Sequence, residues 1–362
     1  MRVRIDATSV LLRSAGIKSY TYHWVRHLQA QAGRDEILPF PYLPGLGELR
    51  HETSVLTPAQ TIPRLALLYF LNAPGNRAID WVAAGADIFH LSNQIRHTPR
   101  GIRLTATIFD LTCRLMPEAH TAANVQADES YTRRVLLNAD GLIAISENSR
   151  RDAVRLLGID ERKIRVIYPG VADEYFDAAP TPSGRPYVLF VSTLEPRKNV
   201  DMLLDAWHLL RADVRDDYDL VVAGATGWSS DRTAQRLRAG IPGVRYLGYV
   251  SERELPGLTA GAAAFVYPSL YEGFGLPVAQ AMACGVPVIT SNNSCLQEVA
   301  GEGALLVDPR SVLEMTAALE RLLGSEALRR QIGAAGRKRA DIYRWETCAR
   351  QSLEFFRDIA SS

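Results

Sequence analysis

The chain has 362 residues, 47% hydrophobic and 22% charged, and its 41 Lys plus Arg against 40 Asp plus Glu leave a formal charge of +1. This composition excludes a disordered or fibrous chain, the length exceeds that of a usual single domain, and the balanced charge leaves no electrostatic footprint for nucleic acid. Cys113, Cys284, Cys295 and Cys348 are scattered, with no Cys-x-x-Cys and no paired His spacing. Neither a disulfide framework nor a zinc site is expected, and a reducing cytoplasm is the simplest setting.

Read from its start, Met1 to Asp6 forms a strand rather than a signal peptide, and no run approaches the roughly 18 apolar residues that span a bilayer. Leu65 to Leu71 is the longest apolar candidate, and it reads as a core helix face or as a peripheral membrane contact. Strands are predicted over 3–7, 87–90, 104–109, 141–145 and 164–167, with helices over 19–31, 124–138 and 149–157 among them. Short apolar strands alternating with amphipathic helices make a parallel sheet covered on both faces.

Pro169-Gly170 and then Asp177-Ala-Ala-Pro-Thr-Pro-Ser-Gly-Arg-Pro186 interrupt this pattern and read as an interdomain linker. The alternation then restarts, with strands predicted over 187–191, 218–223, 244–246, 264–267, 286–290 and 304–307 and a last helix over 344–359. The expected organisation is a domain over 1–177 completed by a C-terminal helix over 343–362, and a second domain over 178–342. Parallel sheets take ligands at the carboxyl ends of their strands, so two such domains facing one another would form one cleft. The linker near Pro180 to Pro186 and the crossing before Arg344 would be its hinges.

The densest chemistry lies in Tyr267-Pro-Ser-Leu-Tyr-Glu-Gly-Phe-Gly-Leu-Pro277 and the helix and strand that follow it. Gly273 and Gly275 let the chain bend so that successive N–H groups converge, and a helix opened by Pro277 adds its own donors and positive end. A phosphate or sugar oxygen fits there. Glu272 beside those donors accepts hydrogen bonds from hydroxyls, which points to a phosphorylated sugar. At the end of the 187–191 strand, Arg197 and Lys198 precede a helix over 200–210, where fixed charge and helix-end donors hold a diphosphate. The same pair also reads as a solvated basic turn, and Glu272 as a loop carboxylate.

The 267–290 segment resembles the signature of the family 4 retaining glycosyltransferases, which have the GT-B fold of two facing Rossmann-like domains. Their pattern is Glu-x7-Glu within Glu-Gly-Phe-Gly-Leu-Pro…Glu-Ala-Met-Ala-Cys-Gly-Pro-Val-Ile, and here Gln280 stands at the second Glu. Glu195-Pro-Arg-Lys-Asn199 is a further hallmark, with Ser192 where the family usually has Gly. Asp6 to Tyr20 resembles the family's first loop with its Gly-Ile-x-x-Tyr run, and Thr105 to Thr112 resembles Thr-x-His-Asp-Leu with Phe109 in place of the His.

The resemblance implies a retaining, metal-independent hexosyltransferase with no cofactor beyond its nucleotide diphosphate sugar. Arg197 and Lys198 would face the diphosphate. Glu272 would hold sugar hydroxyls with the N–H groups of Phe274, Gly275 and Leu276, and Gln280 would sit near the ribose. Gly16, Ser192, Thr193, Val250 and Gly273 complete the expected donor site, and Asp110 would orient the acceptor. Alternatives at single residues are a capping role for Gln280 or Asp110, and His90 or His97 as a substitute for the absent His. GDP-mannose is the first expected donor by analogy, with UDP-glucose and other hexose donors as alternatives, and a glycan or lipid-linked glycan the acceptor. Because Phe109 and Gln280 depart together from the pattern, a catalytically degenerate nucleotide-sugar-binding subunit is the alternative. A sugar-nucleotide epimerase or dehydrogenase needs a Gly-x-Gly-x-x-Gly, which Asp6 to Gly16 does not supply.

Overall fold

The computed structural model describes every residue except Ala15, Pro44, Ser183 and Ser229. Ala15 of the first loop and Ser183 of the expected linker therefore lie outside the described residues. The chain divides into two compact units, one comprising Met1–Leu115, Ala122–Gly170 and Trp345–Ser362, the other Met116–Thr121 and Val171–Arg344. The changeover at Gly170 and Val171 falls at the Pro169-Gly170 part of the expected linker and precedes its Pro-rich part. Thr181 in that stretch donates its N–H to the Gly257 carbonyl at 3.0 Å, so the stretch is part of the second unit.

Among the described residues the first unit holds β1 (Arg2–Asp6), β2 (Glu36–Phe40), β3 (Ile88–Leu91), β4 (Arg103–Ile108), β5 (Gly141–Ala144) and β6 (Ile164–Val166), in the order β2-β1-β3-β4-β5-β6. Every pairing is parallel. Strands β3 and β5 are buried along their whole length, which is why they read as continuous apolar runs rather than as alternations. Sequence reasoning missed β2. Its Pro39 argues against a strand, but β2 lies at the sheet edge, where a residue without an N–H leaves no ladder bond broken on the open side.

The second unit holds β7 (Tyr187–Val191), β8 (Asp219–Ala223), β9 (Val244–Gly248), β10 (Ala264–Tyr267), β11 (Val288–Ser291) and β12 (Ala304–Val307), in the order β12-β11-β10-β7-β8-β9. All are again parallel. In both sheets the chain winds first to one side and then to the other. The direction changes between β1 and β3 in the first sheet and between β7 and β10 in the second. The loops beyond those strand ends part there, which makes the switch points the natural ligand positions.

Helix Trp345–Ser361 returns to the first unit because its apolar stripe of Trp345, Leu353, Phe355 and Phe356 needs a partner, and helix Gly16–Gln31 supplies one. The Trp24 indole donates to Ser352 Oγ at 2.9 Å, and the Tyr20 ring meets that of Trp345 at 5.6 Å. His23 stacks on Trp345 with ring centroids 5.5 Å apart.

Trp345 is nearly fully buried among these rings. Trp345→Ala is expected to lower the stability of the first unit by about 3–5 kcal/mol, the usual cost of emptying so large a site. Denaturant unfolding followed by circular dichroism measures this.

Candidate functional site

The switch point of the second sheet gathers the residues that follow β7 and β10. After β7 the chain makes one 3₁₀ turn, Pro196–Lys198, and Asn199 takes a left-handed φ of 60° before helix Val200–Leu209 begins. The Asn199 side-chain amide donates to the Pro268 carbonyl at 3.1 Å and to the Pro309 carbonyl at 2.7 Å. The Leu270 N–H donates to the Arg197 carbonyl at 2.8 Å. The two loops are thus tied along their backbones, and their charged side chains share one buried space.

Glu272 is at the centre of that space. Its Oε1 accepts from Lys198 Nζ at 2.6 Å, from Ser269 Oγ at 2.7 Å and from the Tyr267 hydroxyl at 3.1 Å. Its Oε2 lies 2.9 Å from Arg197 Nη1, while Arg197 Nη2 donates to Glu195 Oε1 at 2.7 Å. Lys198 Nζ also donates to the Tyr267 hydroxyl at 2.9 Å. Two cations therefore balance two carboxylates, and Glu195, Lys198 and Glu272 are all buried. Burial alone would raise the Glu272 carboxyl, but Arg197 and Lys198 outweigh it and hold the group at about 2. Burial alone would lower the Lys198 ammonium, and Glu272 reverses that as well, so its value is raised.

Directly after Glu272 the chain turns into helix Leu276–Ala283, whose cap residue Gly275 has a φ of 86°. A side chain there would be strained, and its Cβ would meet Leu296 Cδ2 at 2.5 Å. The Phe274 ring packs edge-on against Tyr343 at 5.2 Å, which anchors the turn. Gln280 is half-buried in the second turn of this helix. Gly275 holds the cap position, and the helix start has no side-chain cap hydrogen bond.

Ser192 and Thr193 leave β7 half-buried, and Val250, also half-buried, follows β9. Sequence reasoning missed Gly224, which directly follows β8 with a φ of 145° and would place a Cβ 1.8 Å from the Ser192 carbonyl oxygen. Its signal was Ala223-Gly224-Ala225 at the end of an apolar strand.

In the first unit, Asp110 follows β4, and its Oδ1 accepts from the Thr112 N–H at 3.1 Å and from Thr112 Oγ1 at 2.7 Å. It therefore does cap a turn. Asp128 lies near enough that burial, and after it the Asp110 charge, push the Asp128 carboxyl up to about 6. Phe109 meets the Tyr20 ring edge-on at 5.1 Å.

His90 is buried between Thr105 Oγ1 and Thr107 Oγ1, each at 3.0 Å, and burial lowers it to about 3. His97 is bound to the Ala73 carbonyl at 3.0 Å. Both rings are thus held within the first unit. Gly16 opens helix Gly16–Gln31 with open space where a Cβ would stand. Nearby Lys18, which sequence reasoning passed over, buries its ammonium against the carbonyls of Leu12 at 2.8 Å and Thr53 at 2.6 Å. Burial lowers its value to about 8.

Residues 171–339 match the family model described as glycosyl transferases group 1, and residues 14–175 match that described as glycosyltransferase family 4. Among curated relatives, an O-antigen chain mannosyltransferase B of Escherichia coli is 34% identical over 267 residues, 70% of each chain. A phosphatidyl-myo-inositol mannosyltransferase of Mycobacterium leprae is 26% identical over 368 residues, covering 96% of this chain and 94% of that one. The solved structure of a sucrose-phosphate synthase from Thermosynechococcus elongatus superposes with a TM-score of 0.74 at 22% identity, covering all of both chains.

The charge balance at Glu272 yields two expected outcomes. Lys198→Met and Glu272→Gln should each destabilise the second unit by about 3–5 kcal/mol because each leaves buried charge uncompensated, and the double variant should lose less than the sum. A double-mutant cycle by chemical denaturation checks this. The second outcome follows from the lowered carboxyl: its stabilisation is complete above the ordinary value of 4.5 and is lost as pH falls toward about 2. The stability gap between wild type and Glu272→Gln should therefore narrow across that window, as read from unfolding midpoints at a series of pH values.

Proposed function

The chain belongs to the group 1 glycosyl transferases of glycosyltransferase family 4, and on that premise we propose that it moves a mannosyl group from GDP-mannose to a hydroxyl of a growing, lipid-carried cell-surface glycan. That it is a glycosyltransferase of GT-B fold follows from family and architecture. The donor and acceptor are inferred from relatives described as an O-antigen chain mannosyltransferase and a phosphatidyl-myo-inositol mannosyltransferase. Nothing in the site or the comparisons favours a catalytically degenerate partner subunit.

The observation that carries the reading is the buried Glu272–Lys198–Arg197 network at the switch point of the second sheet. In this reading the donor diphosphate lies against Arg197, Lys198 and the N–H groups of Phe274, Gly275 and Leu276. Glu272 accepts from sugar hydroxyls, and Gln280 meets the ribose. Ser192, Thr193, Val250 and Gly273 border the donor in the second unit.

The acceptor oxygen bonds to the anomeric carbon on the face from which the diphosphate departs, so configuration is retained. The bond from that carbon to the β-phosphate oxygen breaks, and a leaving phosphate oxygen takes the acceptor proton. A glycoside and GDP result. Negative charge grows on the departing diphosphate, and fixed cations and N–H donors aimed at it supply the stabilisation, which requires no cofactor beyond the donor. Asp110 orients the acceptor hydroxyl.

Calorimetric titration of GDP-mannose, UDP-glucose, UDP-N-acetylglucosamine and dTDP-rhamnose against the wild type and Glu272→Ala tests the donor. Selective binding of GDP-mannose, lost in the variant, is expected, and selective binding of another donor overturns the mannosyl reading. A carboxylate accepts from both ribose hydroxyls where an amide offers one acceptor oxygen, so Gln280→Glu should tighten donor binding by roughly 5- to 30-fold.

A further inference from the structure

Loops at strand ends ordinarily give their spare backbone groups to water. Residues 267–272, which lead from β10 into the charge cluster, give theirs to side chains, and every one of their carbonyls accepts from one. The end of β11 and the turn after it supply most of the donors. Thr290 Oγ1 donates to the Tyr267 carbonyl at 2.8 Å, Ser291 Oγ to that of Ser269 at 2.7 Å and Asn293 Nδ2 to that of Leu270 at 2.8 Å. Cys295 Sγ donates to the Glu272 carbonyl at 3.1 Å. Asn199 Nδ2 takes the Pro268 carbonyl, and Arg197 Nη1 takes that of Tyr271 at 2.6 Å. Thr290, Ser291 and Cys295 are fully buried, so these bonds lie out of reach of water.

Two consecutive residues of the turn hold Glu272 itself. Ser294 Oγ accepts from the Glu272 N–H at 3.2 Å while Cys295 donates to the Glu272 carbonyl, so both polar backbone groups of that residue are engaged. Ser294 has a left-handed φ of 50°, a conformation that persists in a serine only where its surroundings over-determine it. Leu296, the next residue, lies against Gly275, where a Cβ would meet its Cδ2. The sheet order explains the arrangement. Strand β10 lies between β7 and β11, so the Glu272 side chain is gripped from the loop after β7 and its backbone from the turn after β11.

Ion pairing by itself fixes only the carboxylate. Holding the backbone as well sets the direction of the acceptor capacity that the carboxylate retains. Oε1 already accepts from Lys198, Ser269 and Tyr267, whereas Oε2 faces Arg197 and keeps a lone pair for a hydroxyl. Hydrogen bonds weaken steeply with misalignment, so that direction decides how well a sugar hydroxyl is held.

We propose that Ser294 and Cys295 are positioning residues that clamp the Glu272 backbone and thereby let its carboxylate discriminate the sugar of the donor. The inference rests on the donor reading above, in which Glu272 accepts from sugar hydroxyls.

Calorimetric titration of GDP and of GDP-mannose into wild type, Ser294→Ala, Cys295→Ala and Cys295→Ser tests it, together with amide hydrogen exchange at Glu272 in the same ligand-free proteins. Ser294→Ala and Cys295→Ala should each lower the affinity for GDP-mannose relative to that for GDP by roughly 5- to 10-fold, because each loosens one backbone contact of Glu272. Both should also speed exchange of the Glu272 N–H. Cys295→Ser keeps a donor to the carbonyl and should keep the wild-type ratio. An unchanged ratio in both alanine variants, or equal losses for GDP and GDP-mannose, overturns the proposal, because the contacts then serve stability alone. Where wild type selects another of the four donors, the same ratio is taken with that donor and its own nucleoside diphosphate. Wild type that binds no donor refutes the donor reading instead, and exchange then decides the clamp: faster exchange at Glu272 in both alanine variants supports it, and unchanged exchange overturns it.

Discussion

Burying a carboxylate is costly unless its charge is answered at once, and the second unit is organised around one such group. Glu272 lies away from water, and only the close approach of Lys198 and Arg197 keeps it ionised there. Those partners come from the loop after β7, whereas Glu272 comes from the loop after β10. The ion pairs therefore depend on β7 and β10 being neighbours, which a sheet of consecutive strand order would not provide. The charge cluster and the change of winding direction support the same position, and the buried network stiffens the loops on which a ligand would rest.

Backbone conformation serves that position too. Gly275 and Gly224 adopt positive φ values at points where a side chain would strike Leu296 or the Ser192 carbonyl. Each lets a loop bend sharply at a strand end, so that N–H groups and carbonyls near the switch point lie close together. Asn199 does the same beside the basic pair, and its side-chain amide binds both the Pro268 and the Pro309 carbonyls. A polar side chain that holds its own strained backbone is a small structural device, and here it presents Arg197 and Lys198 toward Glu272.

The first unit balances polar and apolar groups differently. Its switch point carries buried Asp6, which accepts from Ser92 and Thr8, while aromatic rings fill the space behind it. Trp24 meets His90 at 4.9 Å, Tyr20 meets Phe109 at 5.1 Å, and Trp345 closes over Tyr20 and His23. Phe109 has a packing partner in Tyr20 that a polar ring would serve less well. His90, clamped by two threonines and kept neutral by burial, is part of this packing.

Much of this was legible in the residues themselves. Apolar runs such as Ala264 to Tyr267 are strands because parallel sheets bury both faces, and Gly-Phe-Gly-Leu-Pro marks its own turn because only glycine accepts the φ required at Gly275. Both are local properties that period and residue type express directly. The strand Glu36–Phe40 was illegible because Pro39 is acceptable only at a sheet edge, and edge position is decided by the whole sheet. The pairing of Arg197 and Lys198 with Glu272, about 74 residues further on, was likewise hidden. Sequence marked each as a charged loop residue with a ligand to face, whereas their mutual contact depends on strand order. The sequence by itself determined the two parallel sheets, the glycine turns and the charged loops, because those follow from local periodicity and backbone sterics. Only tertiary structure decided which charges neutralise one another and which histidines are sealed in the core, because these depend on distances between segments remote in the chain.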